Sequence, residues 1–148
     1  MTIDTSGKWW TGSSASDVVE YLRALSGDGY PATEFRQSKC QCGHERFFLA
    51  VERDEGIARR TCEKCSMEHF ICDSKEHWTA ELRLKKFKCV TCKSTVANVG
   101  VGFALYEDRQ AVQWLYVGHR CASCGTLGSM VDWKVGYEPS SLQLLEGA

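Results

Sequence analysis

The stretch "KCQCGHERFFLAVERDEGIARRTCEKC", residues 39–65, places a pattern typical of a β-hairpin between two close pairs of cysteines. The segments "FFLAV" and "IARRT" flank the charged turn "ERDEG", an order that predicts two antiparallel strands. Cys40 and Cys42 precede this hairpin, and Cys62 and Cys65 follow it, so the hairpin brings the two pairs together. Two pairs held side by side offer four sulfur atoms at the corners of a tetrahedron, which is the arrangement of a structural zinc site.

The same plan recurs at residues 88–124, in "KCVTCKSTVANVGVGFALYEDRQAVQWLYVGHRCASC". Apolar residues alternate before and after the charged turn "YEDRQ", which predicts a second hairpin with one apolar face. The alternating residues are Val99, Val101, Phe103 and Leu105 before the turn and Val112, Trp114 and Tyr116 after it. The chain is therefore predicted to contain an internal repeat, whose hairpins pack their apolar faces on each other or on an N-terminal helix.

Cysteine usage and the lack of targeting signals favour bound metal over disulfides. Eight of the nine cysteines fall into four close pairs. The N-terminal sequence "MTIDTSGKWWTGSS" has no basic segment followed by an apolar run, and no window approaches the roughly 18 apolar residues of a membrane span. We therefore expect a cytoplasmic protein without a membrane span, in which thiols stay reduced and paired cysteines bind metal.

The order of the pairs predicts which cysteines share a metal ion. Intervals of 19, 23 and 28 residues separate successive pairs, and each unit keeps one hairpin between its own two pairs. We therefore predict two zinc ions per chain, each with four cysteine ligands. The first set is Cys40, Cys42, Cys62 and Cys65, and the second set is Cys89, Cys92, Cys121 and Cys124.

The spacing of the first pair leaves an alternative ligand open. One residue separates Cys40 from Cys42, and His44 follows two residues later. A ligand pair of Cys42 and His44, with Cys40 free, is therefore a second hypothesis. The other histidines, which are expected to lie beside the sites or at the surface, are His69, His77 and His119.

The four motifs "CQCG", "CEKC", "CVTC" and "CASCG", placed around two hairpins, resemble a tandem pair of zinc ribbons, also called zinc β-ribbons. The resemblance covers residues 40 to about 135, and the chain is also similar to two-ribbon bacterial proteins of uncharacterised function. It implies a small, metal-bound, mainly β fold with two zinc β-ribbons in tandem, to which the sequence adds an N-terminal α-helix. The one-residue spacing in "CQC" departs from the usual ribbon pattern.

Five segments are predicted along the chain. They are an N-terminal helical cap (1–39), a first zinc ribbon (40–75), a linker that a short helix capped by Ser74 could occupy (76–88), a second zinc ribbon (89–138) and a C-terminal tail (139–148). Within the cap, "SSASDVVEYLRALSGDG" predicts one helix that Ser14 or Ser16 caps, since apolar residues recur at helical spacing. Its predicted apolar face consists of Val18, Tyr21, Leu22 and Leu25.

Cys72 is the ninth cysteine, and it stands outside the four pairs. When the two units are aligned on Cys65 and Cys124, Cys72 falls opposite Val131. A valine there indicates an apolar strand position, and free cysteine is commonly a small buried apolar residue. A reactive thiol would need a base and a positive environment, whereas the neighbouring Asp73 is negative. We therefore predict that Cys72 packs within a strand.

No catalytic function is expected from this sequence. Four cysteines around each metal leave no open position for water or a substrate. The zinc-deaminase motif, the H-E-x-x-H motif and a Walker-type phosphate loop are all missing from the sequence. We therefore expect a non-enzymatic interaction module that binds another protein, on the basis of five tryptophans, two hairpin tips and near-neutral charge.

Nucleic-acid binding is the alternative function. It is favoured by the basic run "RLKKFK" at residues 83–88, which contains one aromatic residue. It is disfavoured by the formal net charge of −1. Each zinc ion with four thiolates adds a charge of about −2, which moves the total to about −5, whereas phosphate binding usually requires a positive surface. Protein binding is therefore the preferred hypothesis.

Overall fold

The computed structural model describes residues 3–148, so the first two residues of the predicted N-terminal cap lie outside the described residues. The fold is mainly β, and one eight-stranded sheet contains strands from both predicted ribbons. A separate two-stranded sheet lies near the N-terminus. No helix within residues 3–148 is long and apolar enough to cross a membrane.

Most of the secondary-structure elements are strands. The strands are β1 (Ile3–Asp4), β2 (Thr11–Gly12), β3 (Glu34–Gln37), β4 (Phe47–Glu52), β5 (Ile57–Cys62), β6 (Glu68–Phe70), β7 (Lys85–Lys86), β8 (Ala97–Leu105), β9 (Val112–Cys121) and β10 (Leu127–Lys134). The α-helices are α1 (Asp17–Leu25) and α2 (Ser74–His77). Short 3-10 helices cover Ser26–Asp28 and Pro139–Glu146.

Both predicted hairpins are present, and each gains a third strand. β4 pairs with β5, and β8 pairs with β9, all in antiparallel fashion. β6 extends the first hairpin beside β5, and β10 extends the second beside β9. Phe47 pairs with Cys62, and Ala97 pairs with Cys121, so the cysteine pairs lie at one end of each three-stranded unit.

The strand that leads into each unit pairs with the other unit. β3, which leads into Cys40, pairs with β8, whereas β7, which leads into Cys89, pairs with β4. β4 and β8 also pair directly with each other, through Phe47 and Ala97. The two units therefore share one continuous sheet, in which each supplies an edge strand to the other.

Equivalent main-chain hydrogen bonds show that this exchange is nearly symmetric. The amide of Ser38, two residues before the first cysteine pair, donates to the carbonyl of Val99 at 2.8 Å. The amide of Phe87, two residues before the third pair, donates to the carbonyl of Leu49 at 2.7 Å. An approximate two-fold relation thus connects the two units, with the pairing of β4 and β8 at its centre.

The main core lies between the inner faces of the two units. Val99, Val101 and Phe103 of β8 are fully buried in it, as their alternation predicts. Leu49 and Val51 of β4 belong to the same core. The predicted packing of the two apolar hairpin faces on each other is therefore observed.

The predicted core face of β9 is wrong for two of its three residues. Leu115 and Val117 lie in the main core opposite Phe103 and Val101, whereas Trp114 and Tyr116 face the other side of the sheet. β9 is covered on both faces, so it carries apolar residues at successive positions. Period-two alternation identifies an inner face only where the other face is exposed to water.

A second core lies between α1 and the outer face of the second unit. Val18 and Leu22 of α1 are fully buried there, whereas Leu25 is 44% exposed. A Cβ atom on Gly100 would lie 2.9 Å from the Val18 side chain, and one on Gly118 would lie 2.8 Å from that of Leu22. The missing side chains at these two glycines allow the helix to lie directly on the strands.

The start of α1 is held differently from the prediction. Ser16 occupies the N-cap position without a side-chain hydrogen bond. Instead, the carboxylate of Asp17 accepts hydrogen bonds from the amides of Ser13 and Ser14, at 2.8 and 3.0 Å. The side chain of Asp17 lies against Gly12, where a Cβ atom would be only 2.6 Å away. The helix is therefore anchored by a buried carboxylate that folds the preceding loop.

A β-bulge explains why Cys72 is not the counterpart of Val131. The pairing of β10 with β9 shifts between Ser129 and Val131, and this inserts a residue that β6 lacks. In the first unit the fully buried Ile71 donates its amide to the carbonyl of Ala58 at 2.8 Å, so Ile71 takes the place of Val131. Cys72 lies beyond the strand, and its predicted strand position is wrong because an alignment without gaps cannot register a bulge.

The predicted linker before the second unit contains a shorter helix than expected, and the predicted C-terminal tail after this unit contacts the rest of the protein. α2 ends at His77, and β7 lies in the later part of the predicted linker. Ser74 does not act as an N-cap, because its hydroxyl donates to the carbonyl of Ile71 and accepts from the amide of Ala58. At the end of the chain, the carbonyl of Gly147 accepts from the amide of Cys72 at 2.8 Å.

Close contact of α1 with the sheet predicts a specific sensitivity to side-chain size. Gly118→Val should destabilise the protein by about 1–3 kcal/mol, because the new side chain overlaps Leu22 and displaces the helix. Gly136→Val is the matched control, since nothing lies within 4 Å of a Cβ atom there. Urea unfolding monitored by circular dichroism measures both variants, and equal midpoints would contradict this packing.

Candidate metal centres

Each cysteine pair lies in a tight backbone turn that is closed by a hydrogen bond to the carbonyl of the pair's first cysteine. In the first pair, the amide of Gly43 donates to the carbonyl of Cys40 at 2.8 Å. The residue after the second cysteine of every other pair makes the equivalent bond, at distances of 2.9 to 3.1 Å. The turn of the first pair is one residue shorter than the other three, because one residue instead of two separates its cysteines.

The residue after each pair adopts the left-handed backbone conformation. Gly43 and Gly125 have φ angles of 93° and 84°, as expected for glycine in such turns. Ser66 and Lys93 occupy the same place in the other two pairs, with φ angles of 66° and 68°. These two residues carry the strain of a side chain in a conformation that favours glycine.

The structure brings together the four cysteines of the predicted first set. The Sγ atoms of Cys40 and Cys65 are 3.4 Å apart, and those of Cys42 and Cys62 are 3.6 Å apart. All four sulfur atoms lie within 4.8 Å of one another. A Zn–S bond of about 2.3 Å places two sulfur ligands of a tetrahedron about 3.8 Å apart, so this set fits one such ion.

The predicted second set has the same geometry. The Sγ atoms of Cys89 and Cys124 are 3.5 Å apart, as are those of Cys92 and Cys121. These four atoms also lie within 4.8 Å of one another. Since a disulfide requires sulfur atoms about 2.05 Å apart, the distances exclude disulfides, and all nine cysteines are free. The two sets can therefore each hold a metal ion.

Burial differs systematically between the two cysteines of a pair. The first cysteine of each pair is buried and the second is exposed, in both sets. Each set thus spans the boundary between the core and the surface at the end of its unit. Four sulfur atoms surround the centre, so a bound tetrahedral ion would have no free position for water or substrate.

Hydrogen bonds and neighbouring thiols separate the pKa values of the first set. Burial raises the pKa of Cys62, but the N–H groups of Cys65 and Lys64 outweigh this effect and lower the pKa to about 6. The N–H group of Met67 lowers the pKa of Cys65, but contact with Cys40, burial and the other thiols raise it to about 12. Cys62 therefore forms a thiolate readily, whereas ionisation of Cys65 is favoured by a bound cation that supplies positive charge.

The second set repeats this separation. Burial raises the pKa of Cys89, but the N–H groups of Cys92 and Thr91 and the neighbouring thiols lower it to about 6. Burial is also the main influence on Cys121, whose pKa it raises to about 11. Each set thus combines one cysteine whose pKa is lowered with one whose pKa is raised, and a bound metal ion would favour the deprotonated form of both.

The structure does not bring His44 into the first set. Its Nε2 atom lies 3.0 Å from a carboxylate oxygen of Glu63, while Cys40 is one of the four clustered cysteines. Among the other histidines, the Nε2 atom of His69 lies 2.8 Å from the carbonyl oxygen of Gly147. The four-cysteine arrangement is therefore the one that the described residues support.

His119 is buried beside the second set without belonging to it. Its ring packs against Phe87, with centroids 4.6 Å apart, and burial lowers the pKa of His119 to about 4. A Cβ atom on Gly128 would lie 2.7 Å from its Nε2 atom, so the ring fills the space that this glycine leaves. His119 is thus a packing residue next to Cys121, as expected for a histidine without ligand spacing.

Cys72 lies outside both sets and is held in a protected environment. Its backbone has a φ angle of 56°, and its thiol donates to the carbonyl of Leu144 at 3.3 Å. Burial, followed by the charge of Asp73, raises the pKa of the Cys72 thiol well above its ordinary value. Since the thiolate is the reactive form, Cys72 is inert at neutral pH, and the predicted packing role agrees with this environment.

Sequence reasoning missed Arg60, which lies close to the first set. Only 6% of this residue is exposed, and its guanidinium group stands 4.7 Å from the ring centroid of Phe47. Burial lowers the pKa of Arg60, and the negative charge of Cys40 and Cys62 opposes this effect. Arg60 lies between Ala58 and Cys62 in β5, and both of these residues face the core. This alternation could have predicted that Arg60 faces inward.

Comparison of the chain with protein-family models, with curated proteins and with solved structures gives no match. The resemblance to zinc ribbons therefore rests on the motifs themselves. The two sets of sulfur atoms are the feature of the structure that bears most directly on function.

The strained turn residues predict two stabilising substitutions. Ser66→Gly and Lys93→Gly should each stabilise the protein by about 0.5–1 kcal/mol, because glycine adopts a positive φ without strain. Gly43→Ala is the reverse control, since its Cβ atom would meet nothing within 4 Å and only the φ angle opposes it. Thermal unfolding of the metal-loaded protein compares the three variants. Lower stability of both glycine variants would contradict the strain.

Cys72 and Cys65 should differ in their effect on metal content. Cys72→Ala should retain two metal ions per chain, because Cys72 belongs to neither set. Cys65→Ser should retain only one, since it leaves three sulfur ligands in the first set. Elemental analysis of the purified variants measures the ratio. Loss of an ion from Cys72→Ala would show that this thiol is a ligand.

Proposed function

We propose that this chain is a tandem zinc-ribbon protein that holds two structural Zn²⁺ ions and acts without catalysing a reaction. The observation that carries the proposal is the closed pair of four-sulfur sets, one at the end of each unit. Thiolate ligands in tetrahedral geometry favour Zn²⁺ among the metals that are abundant in cells. The proposal places the protein in a reducing compartment such as the cytoplasm, because the ligands must remain free thiols.

The proposed role of the two ions is to hold the fold together. Structural zinc contributes about 10–16 kcal/mol in zinc-finger peptides at neutral pH. This is comparable with the whole stability of an ordinary domain, about 5–15 kcal/mol. Each set lies at one end of its unit and joins the first strand of a hairpin to the second, so each ion would hold these two strands together there.

We further propose that the protein binds another protein. Several aromatic side chains are exposed on its surface, and aromatic residues are enriched at protein–protein interfaces. Among the aromatic residues, Trp9, Phe48 and Tyr137 are 47%, 43% and 52% exposed. The overall charge of −1, which bound zinc would make more negative, favours a protein partner over nucleic acid.

Nucleic-acid binding remains a second candidate because of one feature of the surface. Lys85, Lys86 and Lys88 line a groove together with the exposed Trp9. Lysines beside an aromatic ring are typical of sites that bind single-stranded nucleic acid. The proposed protein binding and this alternative therefore require a direct comparison.

Site-specific photo-crosslinking in cells that naturally contain the protein distinguishes the two functions. A photoreactive amino acid replaces Trp9, Phe48 or Tyr137 in turn, and the buried Trp133 serves as the control position. We expect at least one exposed position to crosslink a discrete protein. This adduct should disappear when Cys65→Ser or Cys124→Ser is added, because loss of a ligand disrupts the fold. Crosslinks to nucleic acid without a protein adduct would overturn the proposed function.

A further inference from the structure

Two neighbouring grooves meet at Trp9. One groove, which we call the lysine groove, has a volume of about 230 Å³, and the second, which we call the apolar groove, has about 240 Å³. Trp9 and Leu127 line both of them. The lysine groove is also lined by Lys85, Lys86, Lys88 and Val90, and the apolar groove by Trp10, Tyr21, Ala24 and Leu25.

The lysine groove concentrates positive charge in a protein whose net charge is negative. Lys85, Lys86 and Lys88 are all exposed, and the lining residues, which lie within the described part of the chain, include no carboxylate. The ammonium group of Lys8 stands 5.3 Å from the ring centroid of Trp9 and adds positive charge nearby. Cys89 of the second set also lines the groove, and a bound zinc ion with four thiolates would add a charge of about −2 there. The four lysines outnumber that charge, so the groove keeps an excess of positive charge and attracts an anionic group from solution.

The apolar groove offers a complementary kind of contact. Trp10 and Tyr21 meet edge to face, with ring centroids 5.9 Å apart, and Leu25 is 44% exposed beside them. The carbonyl of Trp10 accepts a hydrogen bond from the amide of Leu127 at 2.8 Å, which fixes this wall to the sheet. A preformed apolar site of this kind binds an apolar side chain with little rearrangement.

The size of the grooves indicates the kind of ligand. Pockets for small molecules usually have volumes of about 300–1,000 Å³, and each of these grooves is smaller. Each is therefore suited to single side chains of a larger partner. Because the grooves share Trp9, side chains of one segment can occupy both.

The distribution of charge favours a peptide over nucleic acid. A nucleic-acid strand carries a phosphate at every nucleotide, so it needs cations along its whole path. Three lysines line one side of Trp9, whereas the apolar groove on the other side has only Lys8 among its lining residues. Only a partner whose charge is confined to one part of the contact matches this surface.

We propose that the two grooves together bind a peptide segment of a partner protein, in which acidic side chains lie next to one large apolar side chain. The acidic side chains pair with Lys85, Lys86 and Lys88, and the apolar side chain enters the groove beside Tyr21 and Leu25. This inference rests on the proposed protein-binding function, and it adds the binding site and the chemistry of the bound segment.

Selection from a library of random linear peptides displayed on phage tests this inference. The metal-loaded full chain is the target, and enriched peptides are then synthesised and measured by fluorescence anisotropy. We expect enrichment of sequences with acidic residues next to Leu, Ile, Phe or Trp. Binding of these peptides should weaken as the salt concentration rises, because salt screens the lysine contacts.

Paired variants locate the binding site. Trp9→Ala and the double variant Lys85→Glu/Lys86→Glu should each weaken binding about tenfold or more. Trp78→Ala and Lys75→Glu/Lys134→Glu are the matched controls, because they change an exposed tryptophan and two exposed lysines outside the grooves. These controls should leave affinity within about twofold of the unchanged protein.

Other outcomes overturn the inference in distinguishable ways. Peptides that bind Trp9→Ala normally but fail to bind Trp78→Ala would refute the grooves while leaving a protein-binding function intact. Failure to enrich acidic apolar peptides would refute the proposed ligand. If single-stranded oligothymidylate or oligouridylate binds instead, and Lys85→Glu/Lys86→Glu abolishes that binding, the proposed function fails as well.

Discussion

Convergence of four sulfur atoms on one point is the constraint on which the structure depends. Sulfur atoms 3.4 to 3.6 Å apart at the end of each unit can ionise together only when a cation balances their charge. Cys62 and Cys89, whose pKa values are lowered to about 6, supply the first thiolate of each set. A metal ion bound at each set would therefore couple to folding, because each set joins the two ends of a hairpin.

Exchange of edge strands extends this constraint to the whole protein. β3 leads into the first set but pairs with the second unit, and β7 leads into the second set but pairs with the first. The main core lies between the two units and includes residues from both. Loss of either centre would therefore loosen a strand, a cysteine turn and part of a core that the other unit also uses.

The approximate two-fold relation is broken where the surfaces differ. On the second unit, Gly100 and Gly118 leave room for α1, and the helix buries that outer face. The equivalent positions of the first unit hold Ala50 and Arg59, and the neighbouring Phe48 is 43% exposed. The side chains of Ala50 and Arg59 prevent a helix from packing as closely on the first unit as α1 packs on the second. The outer face of the second unit thus belongs to a core, whereas that of the first unit leaves Phe48 exposed at the surface.

The sequence by itself determined the parts that depend on local pattern. The spacing of the cysteines predicted the two sets of four, the apolar segments around charged turns predicted both hairpins, and apolar residues at helical spacing predicted α1. These features were predictable because a turn and a hairpin are set by residues close together in the chain. Only the tertiary structure decided the exchange of β3 and β7, the bulge that separates Cys72 from Val131, and the inner face of β9. Each of these features depends on contacts between different segments of the chain. Local sequence pattern does not distinguish these contacts from alternative pairings, so they are decided only when the core forms.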